Sequence, residues 1–179
     1  MNAGAWVRIA TARRIGVKGP FASAVLGELQ LAVPASTNTW SPLRGPDRDD
    51  AGDVVARLGN TEFFIEEQGD AAGVAALERK LANTIAGAYP VLREDVGLQI
   101  GGPRAANALA QVCNVDLASA DIAKRPIYMT LMIGVSVLAL AQRTGAGVVY
   151  RIWCDPSIAN FLSSELEGIT QELSAGSDR

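Results

Sequence analysis

Histidine is absent from all 179 residues. Its absence removes Ser-His-Asp and Cys-His nucleophilic constellations, imidazole metal ligands and the commonest general base near neutral pH. Cysteine is nearly as scarce. Cys113 and Cys154 stand apart, neither in a CxxC, and two lone cysteines cannot complete a structural zinc site without carboxylates. Met1 to Arg14 lacks the long apolar core of a secretory signal, so a reduced cytoplasmic protein is expected. Long hydrophobic runs are missing too. The longest, Ile127 to Ala141, is broken by Thr130, Gly134 and Ser136 and is too short to span a bilayer. Positive charge is sparse: Lys18, Lys80 and Lys124 are the lysines and the net charge is −3. Charge-driven binding to nucleic acid or to an anionic membrane is therefore not expected.

What is there is an ordinary globular composition, 49% hydrophobic and 20% charged, long enough for a sizeable core. Arginine heavily outnumbers lysine, which favours planar, partly buried ion pairs.

The stretch from Asp95 to Leu117 organises the chain. It reads as a strand (Val96 to Ile100), a structural turn (Gly101, Gly102, Pro103) and a helix. Glycine supplies the positive φ of a sharp turn, and Pro103 suits a first helical position. Ala105, Ala106, Ala108, Leu109 and Val112 give a small apolar helix face. Ile15 to Ala35 repeats the pattern: Gly19-Pro20 aligns on Gly102-Pro103, Ala22 on Ala105 and Leu26 on Leu109. The offset is about 83 residues, longer than solenoid periods. Val54 to Glu66 and Val137 to Trp153 are both strand, turn, strand. Each precedes a helix, Ala71 to Ala86 and Ser157 to Leu173.

The remaining elements follow from local signals. Met1 to Ala12 reads as a flexible arm carrying Trp6. Arg13 to Lys18 is a strand, Pro20 to Leu29 a helix, and Leu31 to Leu43 an extended segment with Trp40. Gly59-Asn60, Ile133-Gly134 and Arg143 to Gly147 are hairpin turns. Val115 to Lys124 reads as a linker and Pro126 to Ile133 as a strand. Asp70 and Asp155 are expected N-caps, with Pro156 in a first turn. The expected fold class is α+β: two similar β-α-β-β-α halves with mostly antiparallel sheets and helices on one face. Residues 13–173 form one duplicated domain, with halves of about 13–90 and 91–173, and 174–179 form a frayed tail.

Candidate chemistry is thin. Gly101-Gly102-Pro103 is neither GxGxxG nor a Walker loop and reads as a packing turn. Asp47, Asp49, Asp50 and Asp53 lack the spacing of a calcium loop and read as a solvated hairpin loop. Arg143 to Gly147 is a hairpin before it is an anion nest. Glu62 and Glu66 share one strand face and Glu67 lies beside them, without a sign of burial. No catalytic, cofactor-binding or metal-ligating residue is expected. The strand around Leu131 and Met132 is apolar on both faces, the pattern of a central strand or of one covered by a subunit. Trp6, Trp40, Leu131 and Met132 are the candidate partner interface.

Read together, several segments resemble the gamma subunits of heterotetrameric sarcosine oxidases, relatives of the folate-binding aminomethyltransferases of glycine cleavage. They are Leu58-Gly59-Asn60-Thr61-Glu62-Phe63-Phe64-Ile65, Gly102-Pro103-Arg104-Ala105, Cys113-Asn114-Val115-Asp116-Leu117, Arg143-Thr144-Gly145 and Tyr150 to Leu166. The likeness runs from Ile15 to Ile169. It departs where the family has Pro, Asp and Trp and this chain has Asn60, Thr61 and Phe63, which also admits a related N-methyl amino acid dehydrogenase. The resemblance implies a non-catalytic subunit that assembles with alpha, beta and delta chains. That complex oxidatively demethylates sarcosine or a related amine and passes the carbon to tetrahydrofolate. FAD, FMN, NAD, tetrahydrofolate and zinc are then carried by the other chains. The alternatives are a stand-alone folate-binding aminomethyl or one-carbon transferase and a homo-oligomeric scaffold.

Overall fold

Three two-residue loops, Asn60-Thr61, Ile133-Gly134 and Gly145-Ala146, reverse the chain between runs of β-branched and aliphatic residues. Ile133 and Gly134 have φ of 51° and 75°, the left-handed pair that matches the twist of a tight hairpin. A computed structural model describes residues 5–44, 52–83 and 86–175. It contains β1 (Trp6–Ala10), β2 (Arg13–Lys18), α1 (Ala22–Glu28), β3 (Thr39–Ser41), β4 (Val54–Gly59), β5 (Glu62–Glu67), α2 (Ala72–Ala82) and β6 (Tyr89–Val91). Then follow β7 (Val96–Gly101), α3 (Ala105–Val112), β8 (Ile127–Met132), β9 (Val135–Thr144), β10 (Gly147–Cys154) and α4 (Pro156–Ala175).

The class is α+β, with two five-stranded antiparallel sheets ordered β3-β4-β5-β2-β6 and β8-β9-β10-β7-β1. Two compact units result, one of residues Thr11–Glu94 and one of Met1–Ala10 with Asp95–Arg179. The two orders match strand for strand. The fifth strand of each sheet is the exception to chain order. β1 stands directly before β2 in sequence yet pairs with β7, Trp6 opposite Gly101. β6 stands directly before β7 yet pairs with β2, Tyr89 opposite Lys18. Each sheet thus takes its last strand from the segment leading into the other unit.

In unit 11–94, α1 and α2 supply Ala22, Val25, Leu26, Val74, Leu77 and Leu81 to a core with Ile15, Val17, Val55, Phe63 and Ile65 from the sheet. In the other unit, Ala105, Ala108 and Leu109 of α3 and Ala159, Leu162 and Leu166 of α4 pack on Leu98, Ile100, Tyr150 and Ile152. The small residues of α3 let it lie close to β7 and β10.

Several expectations change. The expected arm is a strand from Trp6 to Ala10, because β7 offers it an otherwise open edge. Ser174 and Ala175 belong to α4, not to the tail. The expected Asp70 cap is not used: α2 starts after Ala71, which sits at φ 50°, ψ 41° with no side-chain cap. Asp155 does cap α4, accepting from Ser157 N–H at 2.8 Å, and Pro156 is its first residue. Most of the acidic loop, with Asp47, Asp49 and Asp50, lies outside the described residues. Asp53 accepts from Gln68 N–H at 2.8 Å.

Candidate functional site

The organising turn works differently at each of its three positions. Gly102 takes φ of 97°, the conformation glycine was expected to supply. Gly101 is instead the last residue of β7, and a Cβ there would stand 2.5 Å from Trp6 Cζ2. Glycine is needed at 101 so that the indole of β1 can cross the strand. Pro103 is not the first helical residue as expected. A turn closed by Ala105 N–H on the Gly102 carbonyl (3.1 Å) comes first, and the cap position of α3 is Arg104. The Arg104 guanidinium reaches the Leu173 carbonyl near the end of α4, where a cation is favoured.

Pairing of β7 with β10 brings this turn beside the Arg143 to Gly147 hairpin. Between them lies a hollow of about 320 Å³, lined by Gly102, Pro103, Ala106, Ala146, Gly147, Val148 and Tyr150. Sequence reading singled out both loops but not their meeting, and it passed over Tyr150. Tyr150 is 5% exposed. Burial, with the Asp116 charge adding, holds its phenol above the ordinary value of 10.0, so it keeps its proton. The missed signal was the alternation Tyr150, Ile152, Cys154, which faces the helices.

Two of the three carboxylates of β5 are buried, contrary to expectation. Glu66 is 0% and Glu67 2% exposed. Glu66 pairs with Arg14, itself directly opposite in the ladder. Glu67 accepts from Val74 N–H at 2.8 Å and from Arg44 at 3.1 Å. It therefore caps α2 from the preceding strand. Gly73 gives it room, since a Cβ there would lie 3.1 Å from Glu67 Oε2. Glu62 lies between Lys18 and Arg93, each at 3.2 Å. Each carboxylate thus has a cationic partner, the arrangement of structural ion pairs rather than of an acid–base pair. Among the described residues no three His, Cys, Asp or Glu side chains converge as metal ligands.

The candidate interface residues divide. Leu131 (42% exposed) and Trp6 (38%) lie at the surface. Met132 is fully buried in the core with Leu98 and Leu109, and Trp40 is nearly buried. Neither offers a free surface on this chain, which corrects their selection from sequence. Met129 is 63% exposed and shares Leu131's side of β8. β8 is a sheet edge, with its far end bridged by Asn114 N–H to the Leu131 carbonyl (3.0 Å). On β1, the Arg8 guanidinium lies 4.9 Å over the Trp6 ring and donates to Gln99 Oε1 at 2.7 Å. Both cysteines are free thiols.

No protein-family model matches the sequence, and no curated protein matches it. Solved structures share its fold. A chain of the heterotetrameric sarcosine oxidase from Corynebacterium sp. U-96 superposes with a TM-score of 0.74 at 21% identity, over 96% of this chain and 86% of that one. The glycine cleavage system aminomethyltransferase T from Bartonella henselae gives 0.66 at 22% identity, over 93% of this chain. This chain spans 46% of that enzyme. At these identities the likeness establishes the fold. No helix is long and apolar enough to cross a membrane among the described residues.

Proposed function

We propose that this chain is a gamma-like, non-catalytic subunit of a flavin-containing complex of the sarcosine oxidase type. The observation that carries the reading is mutual coverage. The superposition takes in 96% of this chain and 86% of a chain from a heterotetrameric enzyme, so the match is to a chain of similar size. In this reading alpha, beta and delta chains hold FAD, FMN, NAD, tetrahydrofolate and zinc in the cytoplasm, and this chain binds none of them alone. The substrate is sarcosine or a related N-methyl amino acid. Paired, buried carboxylates fit a structural role. The exposed strip Met129 and Leu131 on the edge strand β8 is the proposed partner surface, since apolar patches on a sheet edge mark contact sites; Trp6, on β1 at the opposite edge of the same sheet, would be a separate contact.

Purification of the tagged chain from its host tests this. Larger partner chains and a yellow flavin spectrum support it. A colourless chain, alone or with copies of itself, overturns it. The second reading, a folate-binding one-carbon transferase, draws on the aminomethyltransferase fold. Saturable tetrahydrofolate binding by the isolated chain would favour it over the first.

A further inference from the structure

We propose that residues 127–130 of β8 receive one extended, uncharged segment of a partner chain, which adds to the sheet as a further strand. This rests on the subunit reading for the existence of a partner and names how that partner is held. Sheet edges carry unpaired N–H and C=O groups, and folded chains guard them with short strands, proline or charge. The two sheets have four such edges. β3 has three residues. β6 has three, and Pro90 is one of them. β1 carries the exposed Arg8. β8 has none of these devices: its six residues, IYMTLM, hold no charge and no proline. Met129 is 63% exposed and Leu131 42%. An unguarded apolar edge is the surface that strand addition uses.

Hydrogen bonds define the open length. Asn114 N–H donates to the Leu131 carbonyl and Ile133 N–H to the Val112 carbonyl, both at 3.0 Å. Leu131 and Ile133 therefore turn these backbone groups away from β9. By alternation Ile127 and Met129 do the same, while Tyr128 and Thr130 face β9. The bridge from 112–114 closes the edge at 131–133 and leaves 127–130 open.

The same bridge decides against a second copy. A twofold pairing about Met129 sets Ile127 of one copy against Leu131 of the other, the place that residues 112–114 already hold. So short a pairing also falls well below the ~1,000 Å² of a stable dimer interface. A segment of a larger partner meets both limits, because the rest of that chain supplies contact elsewhere. Its residues opposite Met129 are uncharged: β8 offers no countercharge, and a charge there would be desolvated without compensation.

A soluble peptide, acetyl-Lys-Thr-Val-Thr-Val-Thr-Lys-amide, is the probe, titrated into the full chain and followed by amide NMR. Saturable shifts are expected at Ile127 and Met129, with slower hydrogen exchange at Met129 N–H. About four backbone hydrogen bonds give a Kd on the order of 1 mM. The same peptide N-methylated at its three central residues keeps its side chains and loses its donors. It should bind at least about tenfold more weakly. Met129→Pro removes an outward N–H and leaves the ladder to β9 intact. It should weaken the peptide by about tenfold as well; the N-methylated peptide gives the same test on the wild-type chain if that variant does not fold. Four results would each overturn the proposal. They are no saturation by about 10 mM peptide, equal binding of the N-methylated peptide, unchanged affinity in a folded Met129→Pro variant, and concentration-dependent shifts at Met129 without peptide, which would make a second copy the occupant. Co-purification is read separately. A chain that takes the peptide but finds no partner overturns the subunit reading alone. One that keeps its partners and ignores the peptide overturns strand addition alone.

Discussion

At the residue scale, neighbours in sequence have opposite fates. Met132 sits in the core and Leu131 beside it is 42% exposed. Met132→Asp buries an unpaired carboxylate and loses apolar packing, so it should cost at least about 3 kcal/mol in urea unfolding. Leu131→Asp should stay within about 1 kcal/mol of wild type. The thiols separate in the same way. Cys154 is 1% exposed and burial, with Asp95 and Asp155 nearby, pushes its thiol above the ordinary 9.0. A raised pKa means the native state holds the proton more tightly. The stability this contributes is complete below about pH 9 and is lost as pH rises beyond it. Wild type should therefore lose more stability between neutral pH and pH 10 than Cys154→Ala. A thiol reagent at pH 8 should label half-exposed Cys113 and spare Cys154 until unfolding.

At the element scale, β1 and α2 depend on partners far along the chain. Removing residues 1–10 strips the edge of β7 and the packing of Val7. The loss should be on the order of 2 kcal/mol or more, the worth of one buried aliphatic side chain plus its ladder. A newly open sheet edge should also raise light scattering. Had residues 1–12 been a loose arm, the truncated chain would unfold at the same urea concentration as the full one. For α2, Glu67→Ala removes the group that holds Val74 N–H and leaves Arg44 unpaired. A loss of about 1–2 kcal/mol is expected from the cap. Asp70→Ala should change little, and equal losses in the two variants would assign the cap wrongly.

At the scale of the whole molecule, the duplicated pattern became two sheets of matching order, each closed by a strand from the other unit's lead segment. A chain built this way cannot be cut at its sequence repeat without opening a sheet edge. The assembly prediction belongs at this scale as well. Leu131→Asp should weaken co-purification with partner chains by at least about tenfold, since a desolvated charge at a contact core costs more than a kcal/mol. Folding should be unaffected. If the variant retains its partners in full, the β8 surface is not the contact.

Local signals carried the secondary structure. The hairpin turns, the Asp155-Pro156 helix start and the alternation of β10 all rest on groups a few residues apart, where one turn's geometry decides the outcome. The repeat was legible because turn and helix chemistry recurred at one offset. Composition alone fixed the lack of imidazole chemistry. Long-range pairing decided the rest. Trp6 explains Gly101 across about ninety residues, Arg14 is matched to Glu66, and Gly102 meets Gly147 only because β7 lies against β10. Which strands become neighbours is set by burial of whole faces and by closing open edges, a sum over the fold that no short stretch of sequence contains.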